Sequence, residues 1–200
     1  MKLIRNQKGF TLVELAIVLV IIGLILGAVL KGQALIANAK VKRTYSMERE
    51  IVAAVNTYLD KYSKYPGDDN AVSTRWAGLT DGNNDGLISV MSTTCAAATA
   101  TETCLAWREM RLANLLTGDT TSAVNPGNPF GGVVGIGTVA ALPANTQWIG
   151  FTNIPFDVCQ QIDLQYDDGS SATGYNTGSI RGSGNYSTAT TGTFTLYFQF

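Results

Sequence analysis

Residues 10–30 read FTLVELAIVLVIIGLILGAVL, an unbroken apolar run with a single charged side chain, Glu14. A helix needs about 20 apolar residues to cross the hydrocarbon core of a bilayer, so this run is long enough to span one. The nine residues before it hold Lys2, Arg5 and Lys8 and no acid. That bias keeps the N-terminus cytoplasmic and sends the rest of the chain outward. A general secretory signal carries its apolar region ahead of the cut. Here the candidate cut, in Lys8-Gly9-Phe10, comes first. Processing there would leave the membrane helix on the mature protein.

Glu14 is the anomaly of this segment. A carboxylate at mid-membrane costs on the order of 3 kcal/mol, and less near the interface. Two readings of it stand side by side. Cleavage after Gly9 would free an α-amine on Phe10, ordinarily cationic with a pKa of about 7.7–8. Glu14 could pair with that amine on a neighbouring copy, which sets register more than it adds stability. Alternatively it is a helix-end acid, favoured by the N-terminal dipole and solvated by headgroups.

The segment Lys8-Gly9-Phe10-Thr11-Leu12-Val13-Glu14 resembles the processing motif of type IV prepilins and type II secretion pseudopilins. The resemblance implies cleavage between Gly9 and Phe10 by a membrane prepilin peptidase, and N-methylation of Phe10 by the same enzyme. Gly9 matches the small residue before the cut, and Glu14 matches the glutamate used in assembly. The likeness is strong over about the first thirty residues and looser over the next thirty-five. One departure is the absence of the proline that bends many such helices; Lys31 stands in that neighbourhood. Gly23, Gly27 and Gly32 still weaken the helix locally, each by roughly 1 kcal/mol relative to alanine.

No proline occurs before Pro66, so one helix is expected from about residue 10 to about 62. At 1.5 Å per residue it would be roughly 80 Å long. Val41, Tyr45, Val52, Val55, Leu59 and Tyr62 recur at three-and-four spacing, with Ile51 and Tyr58 widening the stripe and Glu48 interrupting it. Lys40, Lys42, Arg43, Arg49, Glu50, Asp60 and Lys61 lie on the other side. Such one-sidedness means packing against a domain. Tyr65-Pro66-Gly67-Asp68-Asp69 is expected to end the helix.

From residue 44 onward seven lysines and arginines face fourteen acids, and no lysine follows Lys64. An acidic head is unsuited to reading phosphates, so no specific nucleic-acid partner is inferred. The chain has no histidine, which removes the commonest general base and zinc ligand together. No nucleophile turn or phosphate-binding glycine loop occurs either. The expectation is a protein that is not an enzyme and requires no cofactor. The cysteines are Cys95, Cys104 and Cys159. Export into an oxidising compartment suggests one disulfide with one thiol over. Cys95–Cys104 is the preferred pair, with Cys159 remaining an alternative partner.

Asp81-Gly82-Asn83-Asn84-Asp85-Gly86 fits the opening of a calcium loop, with Asp81, Asn83 and Asp85 as candidate ligands. The twelfth position, where an acid is wanted, is Ser92; Asp68, Asp69 or Glu102 could substitute. The competing reading is a plain Asx/Gly turn. Some pseudopilins bind calcium in the head, which the resemblance adds to the calcium reading. Asp167-Asp168-Gly169 is a turn and a weaker second metal candidate.

Thr99-Ala100-Thr101-Glu102 fits a capping box opening a helix over about 100–117, stopped at Gly118. Residues 118–147 read as loops with a strand at 133–136, and a second strand follows at 148–151. Residues 155–166 suit a short helix. Phe194, Leu196, Phe198 and Phe200 alternate with polar neighbours as a half-buried strand that should close a sheet against the long helix. The Gly/Ser/Thr/Asn-rich stretch 169–193 is the expected mobile surface region.

These elements make an α+β chain: residues 1–9 as a cleaved leader, 10–30 as a transmembrane and filament-core helix, 31–64 as its amphipathic continuation, and 65–200 as a globular head with a small antiparallel sheet and short helices. The resemblance implies a structural subunit, a type IV pilin or a type II secretion pseudopilin, self-assembling into a helical filament. Its implied partners are the prepilin peptidase, an inner-membrane platform protein and a cytoplasmic assembly ATPase. The subunit would wait in the inner membrane with its head in the periplasm, then join a periplasmic or cell-surface filament. The rival from another class is a single-pass anchored binding module that never polymerises.

Overall fold

The computed structural model describes residues 9–167, 169 and 174–200. Lys2, Arg5 and Lys8 of the leader, and Asp168 of the second candidate metal turn, lie outside the described residues. The chain divides into two compact units, Met1–Lys40 and Val41–Phe200. The division falls inside one helix, α1 (Leu12–Tyr62).

In the first unit α1 is exposed all round. Leu12 is 87 % exposed, and Leu19, Leu24 and Leu30 also face outward. A helix apolar on every side and covered by nothing is a helix that needs a non-aqueous environment. It is long and apolar enough to cross a membrane.

In the second unit α1 is one-sided, as its sequence requires. The centre of the buried stripe is Val41, Thr44, Glu48, Ile51, Val55 and Tyr58. Tyr45, Val52, Leu59 and Tyr62 are only half-buried and flank it. Glu48 therefore lies on the packed face and does not interrupt it. The helix also stops before the expected Pro-Gly pair. Ser63 adopts a left-handed φ of 57°, and its N–H bonds to the Leu59 carbonyl at 2.7 Å. That is a helix-ending geometry in its own right.

Among the described residues, four strands form one antiparallel sheet in the order β1-β2-β4-β3: β1 (Val134–Gly137), β2 (Trp148–Pro155), β3 (Ile180–Gly182) and β4 (Thr193–Gln199). β4 is an inner strand, pairing Phe198 with Ile149 on one side and with Ile180 on the other. Period-two alternation places Leu196 and Phe198 on the buried face. The register of β2 and β4 shifts between Phe151 and Ile154, where Asn153 takes a φ of 60°, a local irregularity of the kind a β-bulge makes. The core joins the sheet to α1 through Ile51, Val55, Trp107, Ile136, Phe151, Ile162 and Leu196.

α2 (Val72–Arg75) is a single turn. α3 (Glu102–Leu112) ends earlier than its sequence suggests, because Asn114 turns left-handed at φ 59°. Its expected capping box does not form. Thr101 is the N-cap and makes no side-chain cap bond, while the Glu102 carboxylate accepts from the Asn83 and Ser89 N–H groups at 2.9 and 3.1 Å. α4 (Phe156–Tyr166) is the short helix expected there.

The stretch expected to be mobile holds structured parts. A 3-10 turn at Gly174–Asn176 precedes β3, and Tyr186 is fully buried with its hydroxyl donating to Asp163 at 3.1 Å. Cys95 and Cys104 form the disulfide, with Cα atoms 5.5 Å apart. Cys159 is a buried free thiol.

Candidate functional site

Two places carry the side chains singled out by sequence: the start of α1 and the Asp81–Gly86 turn. At the start of α1, Thr11 and Glu14 form a reciprocal cap. The Glu14 N–H donates to Thr11 Oγ1 at 3.2 Å. Glu14 Oε2 accepts from both the Thr11 N–H and the Thr11 hydroxyl at 2.8 Å. This is a capping box, Thr-x-x-Glu, satisfying two N–H groups that a helix start otherwise leaves open. The T-x-x-E spacing was the signal for it in the sequence.

Every residue of this cap lies after the Gly9–Phe10 bond, so cutting that bond leaves the cap intact. Both Thr11 bonds fall on one carboxylate oxygen. Glu14 Oε1 has no hydrogen bond among the described residues and is available to a further donor. The Thr11 bonds match the helix-end reading of Glu14. Phe10 is 80 % exposed, and Gly9 has open space around it.

The Asp81–Gly86 turn is closed by the protein itself. Asp81 faces Ser73, accepting from its N–H and its hydroxyl at 2.8 Å each, and those bonds hold its carboxyl below the usual range. Asn83 and Asp85 bond one another, and Asp85 also accepts from the Leu87 N–H at 2.9 Å. Asp68, almost fully buried, accepts from the N–H groups of Asp85 and Gly86 at 3.0 and 2.9 Å. The Lys64 ammonium donates to Asn84. Gly82 passes so close to the Asp68 backbone that a Cβ would collide with it. Asp81 thus turns to Ser73, while Asn83 and Asp85 turn to each other. Among the described residues no group of three or more His, Cys, Asp or Glu is placed to hold a metal.

Beneath this turn lies a buried polar network that no sequence pattern marks. Tyr58 donates to Asp69 at 2.9 Å and lies 3.1 Å from Glu109 Oε2. Glu109 also accepts from the Gly67 N–H at 2.7 Å. Asp69 is fully buried and pairs with Arg75. Arg75 in turn lies over the Tyr62 ring, 4.4 Å from its centroid, a favourable cation–π placement. The network ties the end of α1, α2 and α3 together at one point. Its role is structural: it is the joint on which the turn and the helix end are mounted.

Comparison with known proteins places the N-terminal segment. Residues 4–30 match the family model of the prokaryotic N-terminal methylation motif. No curated protein and no solved structure matched the chain. The match takes in Gly9, Phe10, Glu14 and the first part of α1 as far as Leu30, and stops before the head. At residues 4–30 the chain thus carries the prepilin-type signature of type IV pilins and pseudopilins.

Proposed function

We propose that this chain is a structural subunit of a type IV pilus or type II secretion filament, cut between Gly9 and Phe10, methylated on Phe10, and assembled through α1. The observation that carries the proposal is the methylation motif set directly ahead of a helix whose apolar residues are exposed on every side. That helix has two ways to leave water: a bilayer, or a bundle of its own kind. The first stores the subunit in the inner membrane with the head in the periplasm. The second is the filament core, in a periplasmic or cell-surface fibre. Glu14 Oε1 then takes the Phe10 amine of a neighbouring subunit, and in low dielectric that pair fixes the axial step. A prepilin peptidase, a platform protein and an assembly ATPase are the implied machinery.

Glu14→Ala tests this reading. The variant is expected to insert and be cut normally but to be lost from sheared filaments by at least about tenfold, the loss of roughly 1.4 kcal/mol in a repeated contact being enough. Cell fractions and sheared fibres blotted for the head would measure it. If the variant enters fibres, or if the wild type never does, the chain is an anchored binding module that does not polymerise.

For the Asp81–Gly86 turn we propose a structural staple rather than a calcium loop, on the strength of the N–H groups its carboxylates already serve. Melting curves recorded in millimolar calcium and in chelator are expected to superimpose. A rise in Tm that follows calcium concentration would restore calcium as a ligand of Asp81, Asn83 and Asp85, since a ligand of the native state raises stability by mass action.

A further inference from the structure

The Tyr58 hydroxyl stands between two buried carboxylates with one proton to give. It donates to Asp69 Oδ2 at 2.9 Å and lies 3.1 Å from Glu109 Oε2. A phenol has a single O–H, so the second contact sets lone pair against lone pair unless a proton comes from the Glu109 side. Asp69 is the better placed of the two to carry charge. Arg75 of α2 pairs with it, and its Oδ1 accepts from the Ala71 N–H at 2.9 Å. Glu109 has the Gly67 N–H and no ion pair among the described residues, and its Oε1 is buried without a hydrogen bond.

The charged and titratable groups facing Glu109 are Tyr58 on α1, Arg75 on α2 and Glu102 on its own helix α3, with Asp69 beyond Tyr58. Arg75 is already engaged by Asp69, and Glu102 adds repulsion. A buried carboxyl in such company is favoured as the neutral acid. The segments around it are tied to one another. The Gly82 N–H donates to the Asp69 carbonyl at 2.9 Å, and Asp68 holds the N–H groups of Asp85 and Gly86.

We propose that a proton on Glu109 latches this joint: the Glu109 O–H donates to the Tyr58 oxygen and Tyr58 donates to Asp69, and when that proton passes to water, residues 67–69, α2 and the Asp81–Gly86 turn come away from the end of α1 while the sheet stays folded. The latch belongs to the head alone and operates whether or not the chain polymerises.

The test is amide hydrogen exchange of the full chain in detergent, resolved by NMR, from pH 4.5 to 8. Protection is taken relative to an open chain at the same pH. The Gly67, Ala71 and Gly82 N–H groups report on the joint. The Thr152 N–H, bonded to the Val133 carbonyl, reports on the sheet. Opening releases a proton, so it grows with pH between 4.5 and about 7 and levels off above. Over that window the joint amides are expected to lose protection together, by about 300-fold, ending at least about tenfold below Thr152. In Glu109→Gln, which has no proton to lose, their protection should stay level. Joint amides as protected as Thr152 at pH 8 would overturn the proposal, because release would then need the whole head to unfold. A loss of protection that persists in Glu109→Gln would overturn it too. Should that variant fail to fold, carbon-13 NMR of the wild-type carboxyl decides alone. Titration in step with the Gly67 amide supports the latch, and a Glu109 carboxyl already ionised at pH 5 contradicts it.

Discussion

A chain carrying Gly9→Val is expected to stay uncut, to keep its nine-residue leader, and to vanish from filaments while remaining in the membrane. The reasoning separates processing from folding. Gly9 lies outside α1, at ordinary backbone angles, with nothing within 4 Å of where a Cβ would stand. A Cβ there meets nothing among the described residues, so the head should melt as in the wild type. The apolar residues of α1 are unchanged, so insertion should proceed. What changes is the bond beside Gly9, where the prepilin-type resemblance implies that only a small side chain is accepted. An uncut chain has an amide at Phe10 in place of a free amine, and the cationic partner proposed for Glu14 never forms. Blotting of membranes and sheared fibres would read both effects. Filaments built from uncut Gly9→Val subunits would contradict the role given to the Phe10 amine, and a lowered Tm would show that the substitution acts on the fold.

Glu109→Gln is expected to stabilise the head at about pH 8 and to leave it unchanged well below pH 5. Glu109 is fully buried. Its Oε2 takes the Gly67 N–H and faces the Tyr58 hydroxyl, while its Oε1 has no partner. Burial pushes its carboxyl up to about 7, against the lowering effect of the Gly67 N–H, of the nearby Tyr58 hydroxyl and of Arg75. The sign follows from proton counting. Between the ordinary value of 4.5 and about 7, the folded chain holds a proton at Glu109 that the unfolded chain has released. Stability from this group therefore falls as pH rises through that window and is flat on either side. The full span is on the order of 3 kcal/mol. A glutamine can keep the Gly67 N–H bond with its own oxygen and never ionises. Melts of the full chain in detergent should show the variant higher by roughly 6–12 °C at pH 8. Comparing variant with wild type at each pH isolates Glu109 from other titrating groups. A variant less stable than the wild type at pH 8 would mean that the ionised carboxylate is held by its partners better than its burial costs.

What could be read in the sequence was what neighbouring residues decide. The apolar run, the Gly9–Phe10–Glu14 spacing and the span of α1 are local patterns, and so are the alternation of β4 and the turn signals around α4. The misreadings came where distant backbone intervened. Glu102 looked like the closing residue of a capping box, but two loop N–H groups from Asn83 and Ser89 claim its carboxylate. Glu48 looked like a break in the buried stripe, because burying a carboxylate has no local signature. β3 is three residues in a Gly/Ser/Thr-rich stretch, and only its pairing with Phe198, Tyr197 and Leu196 makes it a strand. Glu109, between Arg108 and Met110, carries no local signal of its burial. Its burial depends on Tyr58 and Gly67, residues more than forty positions away. At the start of α1 the case was reversed. The Thr11–Glu14 spacing was legible as a cap, and the Thr11 bonds match the helix-end reading of Glu14 given beside the assembly reading.

The most direct measurement is the intact mass and N-terminal sequence of the protein recovered from cells that make it. A chain beginning at Phe10 and heavier by a single methyl group is the expected result, and it would place the subunit in a filament pathway with a modified amine ready to meet Glu14. A chain still carrying residues 1–9 would contradict it, leaving a signal-anchored membrane protein for which neither Phe10 nor Glu14 has an assembly role.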